Sequence, residues 1–447
     1  MDNLIINSQF STPNYIFGNP PFVGKTFQTR EQKADMAEIF RGVKNFGNLD
    51  YVACWYKKAA DFISDERLLC TQKINSPTFM YTKIQCAFVS TNSITQGEQV
   101  MILRAVTPII INFAHRTFKW QSESKDKAAV HCVIIGFANF HRDKKIIFDG
   151  DKKIFAKNIN FYLDNAEDYP IQKRQKHFQK NIPKMILGSC PTDGGNLILS
   201  EQEKNILIKK FPDAKKFLKI YMGGEEFLHN KKRFCLWLVD ANPSEIKKIP
   251  PIYERIKKVR EFRKNSKKIQ TQRRAEIPHL FAENRFIDAP TIFVPMVSSE
   301  NRKYIPMDFI EKNIVANNKS FIIPNADLFL FGVLQSSVHM IFVKKFCGRL
   351  KSDFSYSAQI VYNNFPFPSR SEKICETAAE ILRVRKKYSE SSLADLYDEN
   401  LMPKDLRDAH KKNDLAVCEA YGFDKNFSDE EILSALMKIY QDLTSAE

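Results

Sequence analysis

The sequence is poor in the features that mark nucleotide and metal sites. It has 15 glycines in 447 residues, and no two of them are separated by a single residue. A Gly-x-Gly turn between a strand and a helix lets the backbone approach a bound nucleotide or a related cofactor. The nine cysteines include no Cys-x-x-Cys pair, so zinc-finger spacing is absent, and we expect reduced thiols that lie mostly in the core. The sequence therefore predicts neither a glycine-rich nucleotide turn nor a metal centre.

Targeting and membrane segments are also missing. The first ten residues, MDNLIINSQF, have neither the basic nor the apolar region of a signal peptide. The most apolar late stretch, residues 328–343, is interrupted by polar side chains such as Gln335 and His339 and is too short to cross a bilayer. We expect this stretch in the protein core, no membrane association and a cytoplasmic location.

Positive charge is what the sequence has in excess. Lys and Arg number 68 against 52 Asp and Glu, a net charge of +16, which favours nucleic acid as a partner, with an anionic membrane surface second. The charge is densest in residues 247–274, where a helix would suit DNA phosphates. A solvated lysine-rich face is the alternative. The candidate phosphate contacts are Lys257, Lys258, Arg260, Arg263, Lys264, Arg273 and Arg274.

Hydrophobic spacing predicts three domains. Residues 1–150 alternate strand-like runs, such as residues 84–90, with helical spacing, as in residues 49–63, and this alternation is typical of an α/β layer fold. Residues 151–368 are rich in lysine and proline and predict an α+β domain with long loops. Residues 369–447 predict a small helical tail.

One tetrapeptide has the residue types that methylation of an amine requires. Asn19, Pro20, Pro21 and Phe22, called the tetrad below, directly follow the first predicted strand. An adenine N6 amine is a weak nucleophile because its lone pair is delocalised into the ring. The Asn19 side-chain oxygen and the Pro20 carbonyl can both accept from this amine and aim its lone pair at a methyl donor, while the prolines fix the backbone. Phe22 can stack on an extruded base for about 1 to 3 kcal/mol. A plain turn is the alternative, and the same tetrad serves methylation of protein glutamine or RNA.

Longer segments around the tetrad resemble a family, the MmeI-like single-chain type II restriction-modification proteins, over essentially all 447 residues. The segment YIFGNPPFVG resembles the family's motif IV, LDYVACWYKKAADFI its motif V, AFVSTNSITQGEQV its motif VI, and INFAHRTFKW with VHCVIIGF its motif VIII region. VSSENRKYIP and GRLKSDFSYSAQIVYNNFPFP resemble its target-recognition region, and SLADLYDENLMP its C-terminal segment.

The resemblance implies site-specific adenine-N6 methylation of double-stranded DNA with S-adenosylmethionine, in a restriction-modification system at the nucleoid. It implies that the tetrad holds the target adenine, that Asn19 and Asp50 border the cofactor, and that Phe118 and Trp120 wall the base pocket. Core packing is the alternative for Phe118 and Trp120, and a helix cap or surface position for Asp50. Base recognition is implied for Ser298, Ser299, Glu300, Asn301, Arg302 and Lys303, and for Arg349, Lys351, Ser352 and Asp353.

The resemblance begins in the middle of the family's catalytic domain. A class I methyltransferase starts with a strand, a glycine-rich turn and a helix, yet only 18 residues precede Asn19 and no glycine-rich turn follows residue 150, which rules out circular permutation. We therefore predict a partial class I sheet whose first strand has an open edge. We expect a second polypeptide with motifs I–III to supply the S-adenosylmethionine-binding half, and neither methylation nor DNA cleavage by this chain alone. A noncatalytic DNA-binding specificity module and a truncated remnant of a longer enzyme are the alternatives.

Overall fold

The computed structural model describes residues 14–65, 83–120, 130–169 and 171–445. The chain divides into two compact units, Met1–Lys173 and Arg174–Glu447. The strands of the first unit are β1 (Tyr15–Gly18), β2 (Gln85–Thr91), β3 (Ile110–Trp120), β4 (Val130–Ala138), β5 (Lys145–Asp149) and β6 (Lys152–Ala156), and its helices are α1 (Arg30–Ile39), α2 (Ala53–Ser64) and α3 (Gly97–Val106).

The six strands of the first unit form one mixed sheet in the order β1-β2-β4-β3-β5-β6. β1 is parallel to β2, and β4 runs antiparallel between β2 and β3. The carboxyl ends of β1, β2 and β3 therefore lie at one edge of the sheet. The predicted mixture of helices and strands is confirmed. The predicted boundary at residue 150 falls inside the β5-β6 hairpin, because Asp149 pairs with Lys152.

An aromatic cluster packs close to the end of β1. The rings of Tyr56, Phe88 and Phe137 meet with centroids 5.3 to 5.6 Å apart between the sheet and α2. The Tyr56 hydroxyl lies 2.8 Å from Ser90 Oγ. A Cβ atom at Gly18 would lie 3.2 Å from the Phe88 ring, so glycine lets the last residue of β1 sit close to this cluster.

β1 is an outer strand of the sheet among the residues that the structure describes. Tyr15 is 57% exposed and Phe17 is 73% exposed, and their rings stack on one another at 5.8 Å. An edge strand with exposed aromatic side chains offers unpaired backbone groups and apolar surface to a further strand.

The described strands of the second unit are β7 (Ile186–Leu187), β8 (Ile198–Ser200), β9 (Leu218–Met222), β10 (Arg233–Leu236), β11 (Thr291–Pro295), β12 (Val297–Ser298), β13 (Asp308–Ile310), β14 (Ile314–Ala316), β15 (Ser320–Pro324), β16 (Gly348–Leu350) and β17 (Asp353–Ser355). They form three small sheets, with strand orders β14-β9-β10-β8, β13-β11-β15-β7 and β12-β17-β16. All pairings in these sheets are antiparallel except that of β9 with β14.

Helices cover these sheets and continue to the end of the described chain. They are α4 (Glu201–Lys210), α5 (Gly224–His229), α6 (Pro243–Lys247), α7 (Pro250–Lys264), α8 (Ile269–Arg273), α9 (Leu328–Leu334), α10 (Ser337–Phe346), α11 (Glu372–Lys386), α12 (Leu393–Leu396), α13 (Lys404–Tyr421) and α14 (Asp429–Ser445). Helices α9 and α10 are almost wholly buried, as expected for residues 328–343. Across the described ranges, no single helix has both the length and the apolarity to span a bilayer; only α9 and α10 together reach them, and they are bent by 56°.

Candidate active site and DNA interface

The tetrad leaves the sheet at the carboxyl end of β1. Asn19 and Pro21 are exposed, Pro20 is buried and Phe22 is half-buried. Because each proline fixes φ near about −65° and lacks an N–H group, this segment has few alternative conformations. The tetrad therefore presents a polar side chain on a restrained backbone at the edge where parallel strands end.

Asp50 holds the chain immediately after the tetrad. Its Oδ1 atom accepts the backbone N–H of Val23 at 3.0 Å and that of Val52 at 3.1 Å. The backbone N–H of Asp50 donates to Gln99 Oε1 at 2.9 Å. Asp50 is 5% exposed, and its burial raises the pKa of the carboxyl group above its ordinary value. Asp50 is thus a buried anchor of the turn before α2, two residues ahead of the N-cap Val52, while its cofactor role stays a prediction.

Gln28 is a second anchor that the sequence analysis missed. Its Nε2 atom donates to the carbonyls of Val23 and Leu49, each at 3.1 Å. Gln28 precedes Thr29, the N-cap of α1, in a position where an apolar residue often packs against the helix. A polar residue in a position that is usually apolar is the feature of the sequence that could have identified Gln28 as an anchor. Between Val23, which Asp50 holds, and Gln28, the loop leaves Phe27 83% exposed.

Phe118 and Trp120 lie at the same edge of the sheet as the tetrad, because β3 is parallel to β1. Three interstrand spacings, about 14 Å, separate β1 from β3. Trp120 is 45% exposed, so it is not a core residue in the described chain. Phe118 is half-buried, with its ring 4.8 Å from that of His115 and 6.2 Å from that of Trp120. The geometry permits a base pocket along this edge, and the role of both rings stays a prediction.

The lysine-rich region forms α7 and α8, and most of its charge is exposed. α7 buries Ile252, Ile256 and Val259 at helical spacing. On the exposed side of the helix, Lys257 pairs with Glu254 at 2.8 Å and Lys264 pairs with Glu261 at 3.6 Å. The exposed candidates for phosphate contact are Lys257, Lys258, Arg260, Lys264, Arg273 and Arg274.

The prediction that Arg263 contacts DNA is wrong. The side chain is completely buried, because it continues the apolar stripe of α7. Its guanidinium donates to five backbone carbonyls at 2.7 to 3.0 Å, and burial lowers its pKa. The accepting residues are Pro191, Thr192, Arg274, Ile277 and Leu280. Arg263 therefore ties two loops to α7 and has no surface for a phosphate.

The two predicted recognition segments come together in one three-stranded sheet. β12 pairs with β17 through Ser298 and Phe354, and β17 pairs with β16 through Phe354 and Arg349. Residues 298–303 and the β16-β17 hairpin are far apart in sequence, yet both belong to or extend from the same small sheet. The charges of Glu300 and Asp353 both act on Arg349.

Within the first segment, the residues differ in their access to solvent. Ser298 is 2% exposed and accepts from Arg302 Nη1 at 3.4 Å, so its predicted direct contact with DNA is wrong, and it supports Arg302 instead. Burial also lowers the pKa of Arg302. Ser299 is half-buried. The exposed residues of the segment are Glu300, Asn301 and Lys303.

Within the hairpin, Arg349 is held from two sides. Its guanidinium lies 3.8 Å from the centroid of the Phe354 ring, and Nη1 donates to the Ser352 carbonyl at 3.0 Å. The Nε atom is buried, and no described residue accepts from it. Lys351 is exposed at the turn, with φ at +58°. The hairpin therefore presents a lysine beside a partly buried, preoriented guanidinium.

The tetrad and Asp50 are the residues of this chain that are predicted to border S-adenosylmethionine. The tetrad can face a methyl donor, but the sequence has no Gly-x-Gly turn to approach the cofactor. Asp50, the carboxylate proposed for the cofactor, uses Oδ1 for two backbone N–H groups. That another polypeptide supplies the rest of an S-adenosylmethionine site stays a prediction.

Comparison with known proteins places the chain in a family. Three family models match in succession: "MmeI, DNA-methyltransferase domain" over residues 3–149, "MmeI, target recognition domain" over residues 165–369 and "MmeI, C-terminal domain" over residues 367–446. The chain belongs to the MmeI family. The resemblance stated from the motifs is thus confirmed.

Two relatives match nearly the whole chain. DNA methyltransferase A of Bacillus subtilis (strain 168) is 38% identical over an alignment of 445 residues, which covers 98% of this chain and 49% of that protein. The type IIL restriction-modification enzyme MmeI, solved in complex with DNA, is 42% identical with a TM-score of 0.86 and matches 96% of this chain and 57% of its own. This chain therefore spans about half the length of the relatives that it matches.

Proposed function

We propose that this chain supplies the adenine pocket and the target recognition of a site-specific DNA adenine-N6 methyltransferase in a restriction-modification system. The carrying observation is the tetrad, which lies at the carboxyl end of β1 with exposed Asn19, buried Pro20 and the Asp50 anchor directly behind it. Membership of the MmeI family supports the same chemistry.

The chain's own residues would bind and orient the base. Asn19 Oδ1 and the Pro20 carbonyl accept the two N6–H groups of adenine, so the amine lone pair turns out of the ring plane. Phe22 stacks on one face of the extruded base, and Phe118 and Trp120 close the pocket from β3. Stacking of about 1 to 3 kcal/mol per base offsets an extrusion cost of about a few kcal/mol. S-adenosylmethionine, when bound, supplies the methyl group.

Duplex DNA is the proposed substrate. The MmeI structure contains DNA, and the region that matches its target recognition domain carries the exposed cations of α7 and α8. Phosphate contacts from these cations would position the duplex, whereas residues 299–303 and the β16-β17 hairpin would contact base edges. Each phosphate that a cation neutralises adds about 0.9 to the slope of log affinity against log salt.

A second polypeptide with motifs I–III would complete the sheet along β1 and bring the S-adenosylmethionine site. The edge position of β1 among the described strands, the exposed rings of Tyr15 and Phe17 and the strand order β1-β2-β4-β3 support this part of the proposal. The span of about half the relatives' length is consistent with it.

Transfer of labelled methyl from S-adenosylmethionine to unmethylated genomic DNA tests the proposal. We expect N6-methyladenine when the chain is mixed with a polypeptide that carries motifs I–III, and none with either polypeptide alone. Methylation by the chain alone would contradict the division of the site. DNA binding with no methylation in the mixture would favour the noncatalytic specificity module.

A further inference from the structure

Directly after the first recognition segment, the chain is fastened to the C-terminal helices. Tyr304 and Ile305 are each 1% exposed, and Met307 is fully buried. The Tyr304 hydroxyl donates to Asp414 Oδ2 at 2.6 Å. The Tyr304 ring also stacks on the His410 ring, with centroids 4.1 Å apart and planes 20° apart. Both partners belong to α13, so one tyrosine joins the loop to this helix by a hydrogen bond and a ring contact.

Two further side chains hold the backbone of the same loop. Gln335 Nε2 donates to the Ile305 carbonyl at 2.6 Å, and Arg385 Nη1 donates to the Met307 carbonyl at 2.6 Å. Arg385 also donates to Gln335 Oε1 at 2.7 Å, so the two donors fix one another. A buried guanidinium and amide with satisfied partners are costly to rearrange, because any shift would leave polar groups without partners.

The same network joins four helical elements. The Tyr397 hydroxyl lies 2.7 Å from His410 Nε2 and accepts from Arg385 Nε at 2.8 Å. Asp414 Oδ1 accepts the backbone N–H of Ser337 at the start of α10, at 2.7 Å. The loop is therefore attached to a set of helices that is itself cross-linked, and not to one flexible side chain.

We propose that Gln335, Arg385, His410 and Asp414, called the loop anchor, make the C-terminal helices part of the DNA-recognition apparatus by setting the position of residues 298–303. These are positioning residues and do not contact DNA. The proposal rests on the proposed function, because it requires that residues 299–303 contact bases. Base contacts demand side-chain placement to within about 0.5 Å, which a loop fixed at three points within residues 304–307 can provide.

Two substitutions, one in the loop anchor and one in the loop, weaken the contact between them in different ways. Asp414→Asn changes the acceptor for Tyr304 and Ser337, whereas Tyr304→Phe removes one hydroxyl and keeps the ring on His410. The matched control is Asp405→Asn, which makes the same chemical change on the same helix. Asp405 is at the surface, where it binds Lys387 at 3.0 Å and Tyr388 at 2.8 Å.

Selection from a random pool of duplexes, with sequencing of the bound fraction, tests the proposal. We expect the wild-type chain and the Asp405→Asn control to enrich one motif. Both anchor variants should lose about tenfold enrichment at some positions of that motif and keep it at the others. Their affinity for nonspecific duplex should stay within about twofold of wild type, because the exposed cations of α7 are untouched.

Three outcomes distinguish failure of the loop-anchor proposal from failure of the proposed DNA recognition. If the anchor variants enrich the motif as well as wild type does, the loop anchor does not set specificity. If enrichment falls equally at every position together with nonspecific affinity, the anchor only stabilises the fold, and the proposal is overturned. If the wild-type chain selects no motif, the proposed recognition function itself fails.

Discussion

The Oδ1 atom of Asp50 accepts the backbone N–H of Val23 at 3.0 Å, which joins the residue after the tetrad to the turn before α2. Asp50→Ala should lower the free energy of unfolding of the first unit, because the part-buried N–H of Val23 and the buried N–H of Val52 lose their acceptor, at about 1 to 3 kcal/mol for a buried group. Asp50→Asn keeps an oxygen at the same position and should recover most of the loss. Urea unfolding of the three proteins measures this difference, and equal stability of the Ala and Asn variants would contradict it.

Arg263 and Arg260 are neighbours on α7 with opposite environments. Arg263→Gln should destabilise the second unit by at least about 3 kcal/mol, because several buried carbonyls lose their donor at about 1 to 3 kcal/mol each. Arg260→Gln should leave stability unchanged and reduce the salt slope of duplex binding by about 0.9. Urea unfolding and binding at several salt concentrations distinguish the two. A reversed pattern would show that the buried and exposed faces of α7 are wrongly assigned.

Because His339 is buried, we expect the folded protein to lose stability in acid. Burial lowers its pKa from 6.5 to about 3, so between these values the unfolded chain binds a proton that the folded chain does not. Stability should therefore fall as the pH drops below 6.5, by up to about 1.4 kcal/mol per unit for this residue. Unfolding free energies of wild type and His339→Gln at pH 7.5 and 5.5 measure the contribution. The variant should show the shallower dependence on pH, and equal slopes would rule out the assigned role.

Phe17 predicts where the second polypeptide binds. Phe17→Lys should weaken association with a polypeptide carrying motifs I–III by about 2 kcal/mol, because a phenylalanine that becomes buried at an interface contributes about this much. The control is Phe155→Lys, which changes a ring that is 68% exposed on β6, at the opposite edge of the sheet. Calorimetric titration of both variants tests the prediction. Equal weakening by the two substitutions would show that β1 is not the docking edge.

Local patterns in the sequence were enough to place the candidate pocket. The run that ends at Gly18 predicts β1, and residues 84–90 predict β2 to within one residue at each end. The tetrad then follows β1 whatever the distant contacts are. The helical spacing of residues 49–63 likewise predicts α2, which begins at Ala53.

The errors came from residues whose environment depends on distant contacts. Arg263 counted as a DNA contact because charge type alone does not show which face a residue occupies. Its spacing four residues after Val259 places it on the buried stripe of α7. Ser298 was misplaced for a similar reason, because its burial depends on the pairing of β12 with β17, which joins segments far apart in sequence.

Methylation by an Asn19→Ala variant tests the central claim most directly. The variant, wild type and an Asn14→Ala control at the opposite end of β1 are each mixed with a polypeptide carrying motifs I–III, and N6-methyladenine formation and duplex binding are measured. We expect Asn19→Ala to lose at least about a hundredfold in methylation rate, because an oriented acceptor of the reacting amine is removed, and to bind duplex DNA as wild type does. Methylation at the wild-type rate by Asn19→Ala would show that the tetrad is not the catalytic site.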